Sequence, residues 1–353
     1  MITNRRAGVC NMSASSPYSG RLAELAVSFA LILFLVSCAG PSWDGRYREA
    51  MDRVIPDMQR CSLRTPRYVA YSDAGQTRVV PVADLMEQAA DAYDRLLGID
   101  TSEEEKKSTI YVYGTWKRFA LVAESLGFPP SVRAFYSPVA PAAVHVLLDE
   151  TTFDNITPLL LHEGLHQRAD LHCRVSGART GNNSSPAERN PIGLPLWLNE
   201  GLATYMESAR LVNGRLVTGI PNLPRLRELQ NMIRNNYRFS ATGVLSRSYG
   251  EPFSSGDYAV AWGIVYDLAH AAGRDTFLDK YIATLKTDLS AALPELSANT
   301  PIGGSNNGGL FEAWNPVLAE QSLKTFQKVV TGDGRSMFDW ERDWRRRMLD
   351  VVP

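Results

Sequence analysis

Leu160-Leu161-His162-Glu163-Gly164-Leu165-His166 is the stretch on which the reading of this 353-residue chain turns. Residues four apart on a helix lie one above the other, so the imidazoles of His162 and His166 can converge on a single metal ion. Zinc suits nitrogen and oxygen donors in a tetrahedron, and a catalytic site keeps one position for water, whose pKa falls to about 7. Glu163 lies beside the pair without ligating, placed to accept that water's proton. The apolar run at 156–161 fits a helix, with Asp154 or Thr157 as candidate N-caps and Pro158 in a first turn.

A second helix is expected at Leu196-Trp197-Leu198-Asn199-Glu200-Gly201-Leu202-Ala203-Thr204-Tyr205-Met206-Glu207, and it offers acidic side chains as a third ligand. The two stretches together resemble the gluzincin metallopeptidases, most closely the peptidase MA-like domains of bacterial envelope proteins. That resemblance implies Zn2+ held by His162, His166 and Glu200, with Glu163 as general base for hydrolysis of a peptide or protein substrate. It also implies that the strand just before the site helix, 144–148, is an edge on which a substrate backbone pairs. Gluzincins commonly supply a Tyr or His from the C-terminal lobe to the developing oxyanion. The stretch Asp257-Tyr258-Ala259-Val260-Ala261-Trp262 resembles the matching segment, which makes Tyr258 the donor, Asp257 its helix N-cap and His270 the competitor. Two departures stand out. The 33 residues between His166 and Glu200 exceed the shortest gluzincin linkers, and Thr204 occupies the place, four after Glu200, where related families often carry an acid that orients a ligand His.

A rival pattern shares the first two ligands. From His162 to His172 the chain reads one residue away from the metzincin motif, in which His172 would replace Glu200. That motif needs Gly where this chain has Ala169, because the helix must break there to swing the third His round. On an unbroken helix His172 stands about 1000° around the axis from His162 and points away, which favours Glu200.

The N-terminus reads as a targeting signal. Arg5, Arg6 and Arg21 precede a 12-residue apolar run at 25–36, the length of a signal h-region and too short to span a bilayer. Leu35-Val36-Ser37-Cys38 resembles the bacterial lipobox, which makes Cys38 the lipid acceptor; a non-lipidated secretory signal cleaved nearby is the alternative. Ala39 after the Cys resembles the sorting signal for the outer membrane. Removing residues 1–37, with three Arg and one Glu, leaves 316 residues of formal charge −3. There is no basic stripe and no nucleic-acid motif, so nucleic acid is not an expected partner. Cys61 and Cys173 remain, and an even pair in an oxidising envelope suggests a disulfide, with two buried thiols as the alternative.

Periodicity and turn residues place helices at 42–55, 82–97, 115–126, 224–235, 257–271, 275–289, 315–330 and 336–349. Strands are expected at 67–72, 109–113, 132–136 and 143–148, and a hairpin with an Asn-Gly turn at 211–217. His145 reads as a half-exposed strand residue, Trp340 and Trp344 as core. The Gly, Asn, Ser and Pro-rich segment 173–195 reads as a long loop rimming the cleft. The expected architecture is α+β and zincin-like: a tether at 38–66, then a small mixed-sheet lobe with the site helix (67–172) and a mainly helical lobe (196–353). The expected activity is zinc-dependent peptide-bond hydrolysis at the bacterial cell envelope. The non-enzyme alternative is a zinc-containing surface lipoprotein that binds an envelope partner.

Overall fold

A computed structural model describes residues 43–99, 107–139, 142–149, 153–173, 193–237, 239–270, 277–299, 308–332 and 334–352. The signal, Cys38 and nearly all of the expected rim loop lie outside the described residues.

The first lobe is a five-stranded mixed sheet with helices on both faces. After α1 (Trp43–Met58) come β1 (Cys61–Arg64), β2 (Tyr68–Ser72), α2 (Gln76–Leu97), β3 (Ser108–Tyr113), α3 (Trp116–Ser125), β4 (Ala134–Ser137), β5 (Ala143–Leu147) and the site helix α4 (Phe153–His172). The strand order is β1-β2-β3-β5-β4, with β2, β3 and β5 parallel and the outer strands β1 and β4 antiparallel to their neighbours. Side chains alternate faces along a strand. Ile110, Val112, Val144 and Val146 therefore meet α2 and α4, while Tyr111, Tyr113, Ala143 and Leu147 meet α1 and α3.

Two expectations change here. The strand preceding the site helix, β5, is interior, because β4 turns back antiparallel and covers its outer side. The outer strand on that side is β4, whose four residues are all buried. In addition α2 begins at Gln76, so Pro81 falls inside it and removes one helix hydrogen bond without ending the helix.

The second lobe is helical: α5 (Leu196–Met206), the hairpin β6–β7 (Arg210–Val212, Arg215–Val217), α6 (Leu223–Arg234), α7 (Ala241–Leu245), α8 (Ser255–His270), α9 (Phe277–Asn299), α10 (Gly308–Phe326) running into a π turn (Gln327–Thr331), and α11 (Met337–Asp350). Asn213 and Gly214 both take positive φ, 52° and 74°, as the tight hairpin turn requires. Trp197, Trp262, Trp340 and Trp344 are completely buried. The helix α5 crosses α8 so closely that a Cβ on Gly201 would stand 2.8 Å from the Ala261 carbonyl oxygen. One apolar core runs without a break from the sheet face under α2 and α4 into α5, α6 and α8, so both lobes position the site together.

Cys61 and Cys173 are both free thiols. Cys61 donates to Gln76 Oε1 at 3.3 Å, and Cys173 is buried. No described helix is long and apolar enough to cross a membrane.

Candidate metal centre

The helix α4 runs unbroken through Ala169 to His172. With no bend there, His172 stays apart from the other two histidines, and among the described residues the group of side chains able to hold a metal ion is His162, His166 and Glu200. Neither Asp154 nor Thr157 caps this helix. It starts at Phe153, and Thr157 Oγ1 instead donates back to the Phe153 carbonyl at 3.0 Å.

All three side chains are buried, at 6%, 3% and 1% exposure. Glu200 Oε2 stands 3.6 Å from His162 Nε2 and 3.6 Å from His166 Nε2. Donors about 2.1 Å from zinc at tetrahedral angles are separated by about 3.4 Å, so these spacings suit a small divalent ion. The donor chemistry agrees: Glu200 Oε2 is buried and makes no hydrogen bond among the described residues. Burial alone would raise the Glu200 carboxyl, but the two imidazoles hold it down to about 2. Burial would likewise lower His162, but the nearby Glu200 carboxylate and the hydrogen bond to Glu207 raise it to about 10.

Close packing fixes the turn that carries these ligands. A Cβ on Gly164 would lie 2.5 Å from Met86 Cε and 2.7 Å from the Tyr93 hydroxyl, so any side chain there would displace both of these α2 side chains. Tyr93 Oη also donates to the Leu161 carbonyl at 2.8 Å.

Glu163 does not join the triad. Its Oε2 accepts from the backbone N–H of Tyr136 on the edge strand β4 at 2.9 Å, and the Tyr136 hydroxyl donates to Asp170 Oδ2 at 2.6 Å. One residue of β4 thus grips α4 at two points, two turns apart. Burial, with Glu200 adding, raises the Glu163 carboxyl against the pull of both imidazoles and the Tyr136 N–H.

Tyr258 is 1% exposed, and its hydroxyl makes no hydrogen bond among the described residues. Its ring packs on Phe253 at 4.9 Å and under the Arg225 guanidinium at 5.3 Å. Burial pushes its pKa well up, and Glu200, Glu163 and Glu207 add to the effect, which sets it among the carboxylates of the site. The competitor His270 lies at the far end of α8, with Nε2 3.0 Å from the Tyr205 hydroxyl. Asp257 is not the N-cap of α8 but the third residue of the helix. It accepts from Ser254 N at 2.8 Å while Ser254 Oγ accepts from Asp257 N at 3.2 Å, a reciprocal capping box.

The position assigned to Thr204 is corrected as well. Thr204 is fully buried, and its hydroxyl makes no hydrogen bond among the described residues. The carboxylate that holds His162 is Glu207, whose Oε1 accepts from His162 Nδ1 at 2.8 Å. Seven positions turn a helix through about 700°, within roughly 20° of two full turns, so Glu207 shares the face of Glu200. That periodicity was the available signal. His145 is also corrected: it is fully buried, inside the core on the other face of the sheet.

No curated protein matches the chain. Residues 158–288, which run from the sixth residue of α4 into α9 and so include His162, His166 and Glu200, match a family described as a protein of unknown function, DUF1570.

Proposed function

We propose that this protein is a zinc-dependent peptidase of the bacterial cell envelope, anchored through a lipid on Cys38. The observation that carries the reading is the buried His162–His166–Glu200 group with a separate carboxylate, Glu163, on the same helix and turned to the sheet edge.

The edge supplies a place for an extended substrate. Leu147 N–H donates to the Arg133 carbonyl, and with the β4–β5 register this turns the backbone groups of Phe135 and Ser137 inward, leaving those of Ala134 and Tyr136 facing outward. An added peptide strand would pair with the outward groups of Ala134 and with the Tyr136 carbonyl, the Tyr136 N–H staying on Glu163 Oε2, and would lie across the site. A bound zinc supplies Lewis acidity, polarising the scissile carbonyl and lowering the pKa of water. Glu163 accepts the proton of the attacking water and passes it to the leaving amine. The Tyr258 hydroxyl, which has no other acceptor among the described residues, donates to the carbonyl oxygen as negative charge develops there.

The test pairs metal analysis with peptide-library cleavage. Wild type is expected to hold about one zinc per chain. Glu163→Gln is expected to keep zinc and fold and to lose turnover by at least about a hundredfold. A wild type that holds zinc yet cleaves nothing, or a variant equal to it, transfers the reading to a zinc-containing surface lipoprotein that binds an envelope partner. For the anchor, wild type carries an acyl chain by mass, and Cys38→Ser moves to the soluble fraction.

A further inference from the structure

We propose that Asn222 positions His162 for the metal, acting through Glu207. The inference rests on the metal-centre reading and concerns how this chain replaces the acid missing at Thr204.

Asn222 is the N-cap of α6, its Oδ1 accepting from Arg225 N at 3.5 Å. That role uses only the acceptor end of the amide, and Asp or Ser would fill it equally well. The other end is engaged too. Asn222 Nδ2 donates to Glu207 Oε2 at 3.0 Å and to the Thr204 carbonyl at 3.2 Å, and Asn222 is 6% exposed. Glu207 is the C-cap residue of α5, its backbone still helical with its N–H on the Ala203 carbonyl at 3.2 Å, and its side chain is 19% exposed. A carboxylate in that place has one oxygen on His162 Nδ1 and swings freely unless the second oxygen is held. Asn222 holds it. The relay Asn222–Glu207–His162 fixes the ring so that Nε2 faces His166 and Glu200.

The relay also closes a loop. Between Glu207 and Asn222 the chain runs through the β6–β7 hairpin, which touches α2 through β7, and Ser208 Oγ, next to Glu207, donates at 2.5 Å to the carbonyl of Ile220, two residues before Asn222. The orientation of His162 therefore depends on the base of this hairpin being shut, which is a dependence no isolated N-cap would create.

Asn222→Asp in the full chain separates the two roles. It keeps a strong N-cap but replaces the donor with a second carboxylate facing Glu207. The positioning role predicts zinc affinity, measured by chelator competition, at least about tenfold weaker, in the range typical of losing an outer partner of a ligand His. It also predicts loss of the slowly exchanging His162 Nδ1–H resonance in metal-free, histidine-labelled protein, with thermal stability within a few degrees of wild type. Affinity within twofold of wild type together with an intact resonance overturns the proposal. If wild type itself binds no zinc, the metal reading fails, while the resonance still decides whether Asn222 holds the His162–Glu207 pair. Should Asn222→Asp not fold, Glu207→Gln serves instead. Its amide can turn oxygen toward His162 only by setting NH2 against the Asn222 NH2, so the same two losses are expected, and their absence overturns the proposal.

Discussion

His145 and His162 are both buried imidazoles on neighbouring elements, one on β5 and one on α4, yet the chain surrounds them in opposite ways. Around His145 stand hydroxyls and rings: Tyr47 Oη at 3.0 Å from Nε2, Tyr113 Oη at 2.9 Å from Nδ1, and Phe135 stacked at 4.6 Å between centroids. Burial alone pushes its pKa down to about 3. Around His162 stand Glu200 and Glu207, and the same burial is overcome, so that its pKa rises to about 10. Removal from water favours a neutral ring in both places, and only carboxylates reverse it. The sheet core uses histidine as a neutral strut, whereas the site builds a place that attracts positive charge. A metal ion satisfies that attraction with no need for a proton.

The largest effect that tests this contrast comes from Glu200→Gln, which makes the surroundings of His162 more like those of His145. It removes a ligand and the negative charge together, so zinc should fall from about one per chain to less than about a tenth after dialysis, a greater loss than removing an outer partner causes. Full zinc content in this variant would remove Glu200 from the ligand set. Next comes Tyr258→Phe, which deletes one hydroxyl that has no hydrogen bond to lose among the described residues. Turnover should drop about a hundredfold with zinc content and Tm near wild type. A wild-type rate would leave Tyr258 as packing between Phe253 and Arg225.

The neutral side of the contrast gives a pH prediction. His145 has a folded pKa of about 3, below its ordinary value of 6.5, so between those values the unfolded chain binds more protons than the folded one. Its contribution is complete above about pH 6.5 and is lost as pH falls toward 3, amounting to a few kcal/mol across the window. His145→Gln keeps a donor and an acceptor for the two tyrosines but does not titrate there. Its Tm should decline less steeply than that of wild type from pH 6.5 to 3.5. The carboxylates titrate in both proteins, so the difference between the curves isolates His145, and parallel curves would contradict its burial as a neutral ring.

The same pair of histidines shows what the sequence could and could not disclose. His162, His166 and Glu163 are legible because their relation is local, set by the four-residue pitch of one helix. Glu200 is legible from a second helix with a specific pattern. The surroundings of His145 are not, since Tyr47 reaches it from 98 residues away and nothing in the pattern of β5 indicates which helix covers its outer face. The edge strand was misplaced for a related reason. Strands β4 and β5 are both apolar and entirely buried, and their order in the sheet depends on which way the short connection turns. Glu207 is in periodicity with Glu200, seven residues on, but the position related families use is four residues on, where this chain has Thr204.

Tyr136 allows the smallest and most selective test, because it touches the site through its backbone and the helix through its side chain. Tyr136→Phe leaves the N–H that holds Glu163 in place and removes only the hydroxyl that donates to Asp170 at 2.6 Å. A hydrogen bond to a charged acceptor contributes about 1.5–3 kcal/mol when the acceptor is left buried, and less when water can replace the lost donor. Asp170 is partly exposed. A loss of about 1–1.5 kcal/mol in denaturant unfolding is therefore expected, against a fall in turnover of no more than a few fold. Tyr113→Phe is the matching change beside His145: it removes a hydroxyl from a fully buried ring whose partner His145 is fully buried too, and should cost more stability with no change in turnover. If Tyr136→Phe instead reduces turnover as severely as Glu163→Gln while stability is unchanged, the hydroxyl acts in the reaction itself, and the division between a backbone that holds the base and a side chain that holds the helix is wrong.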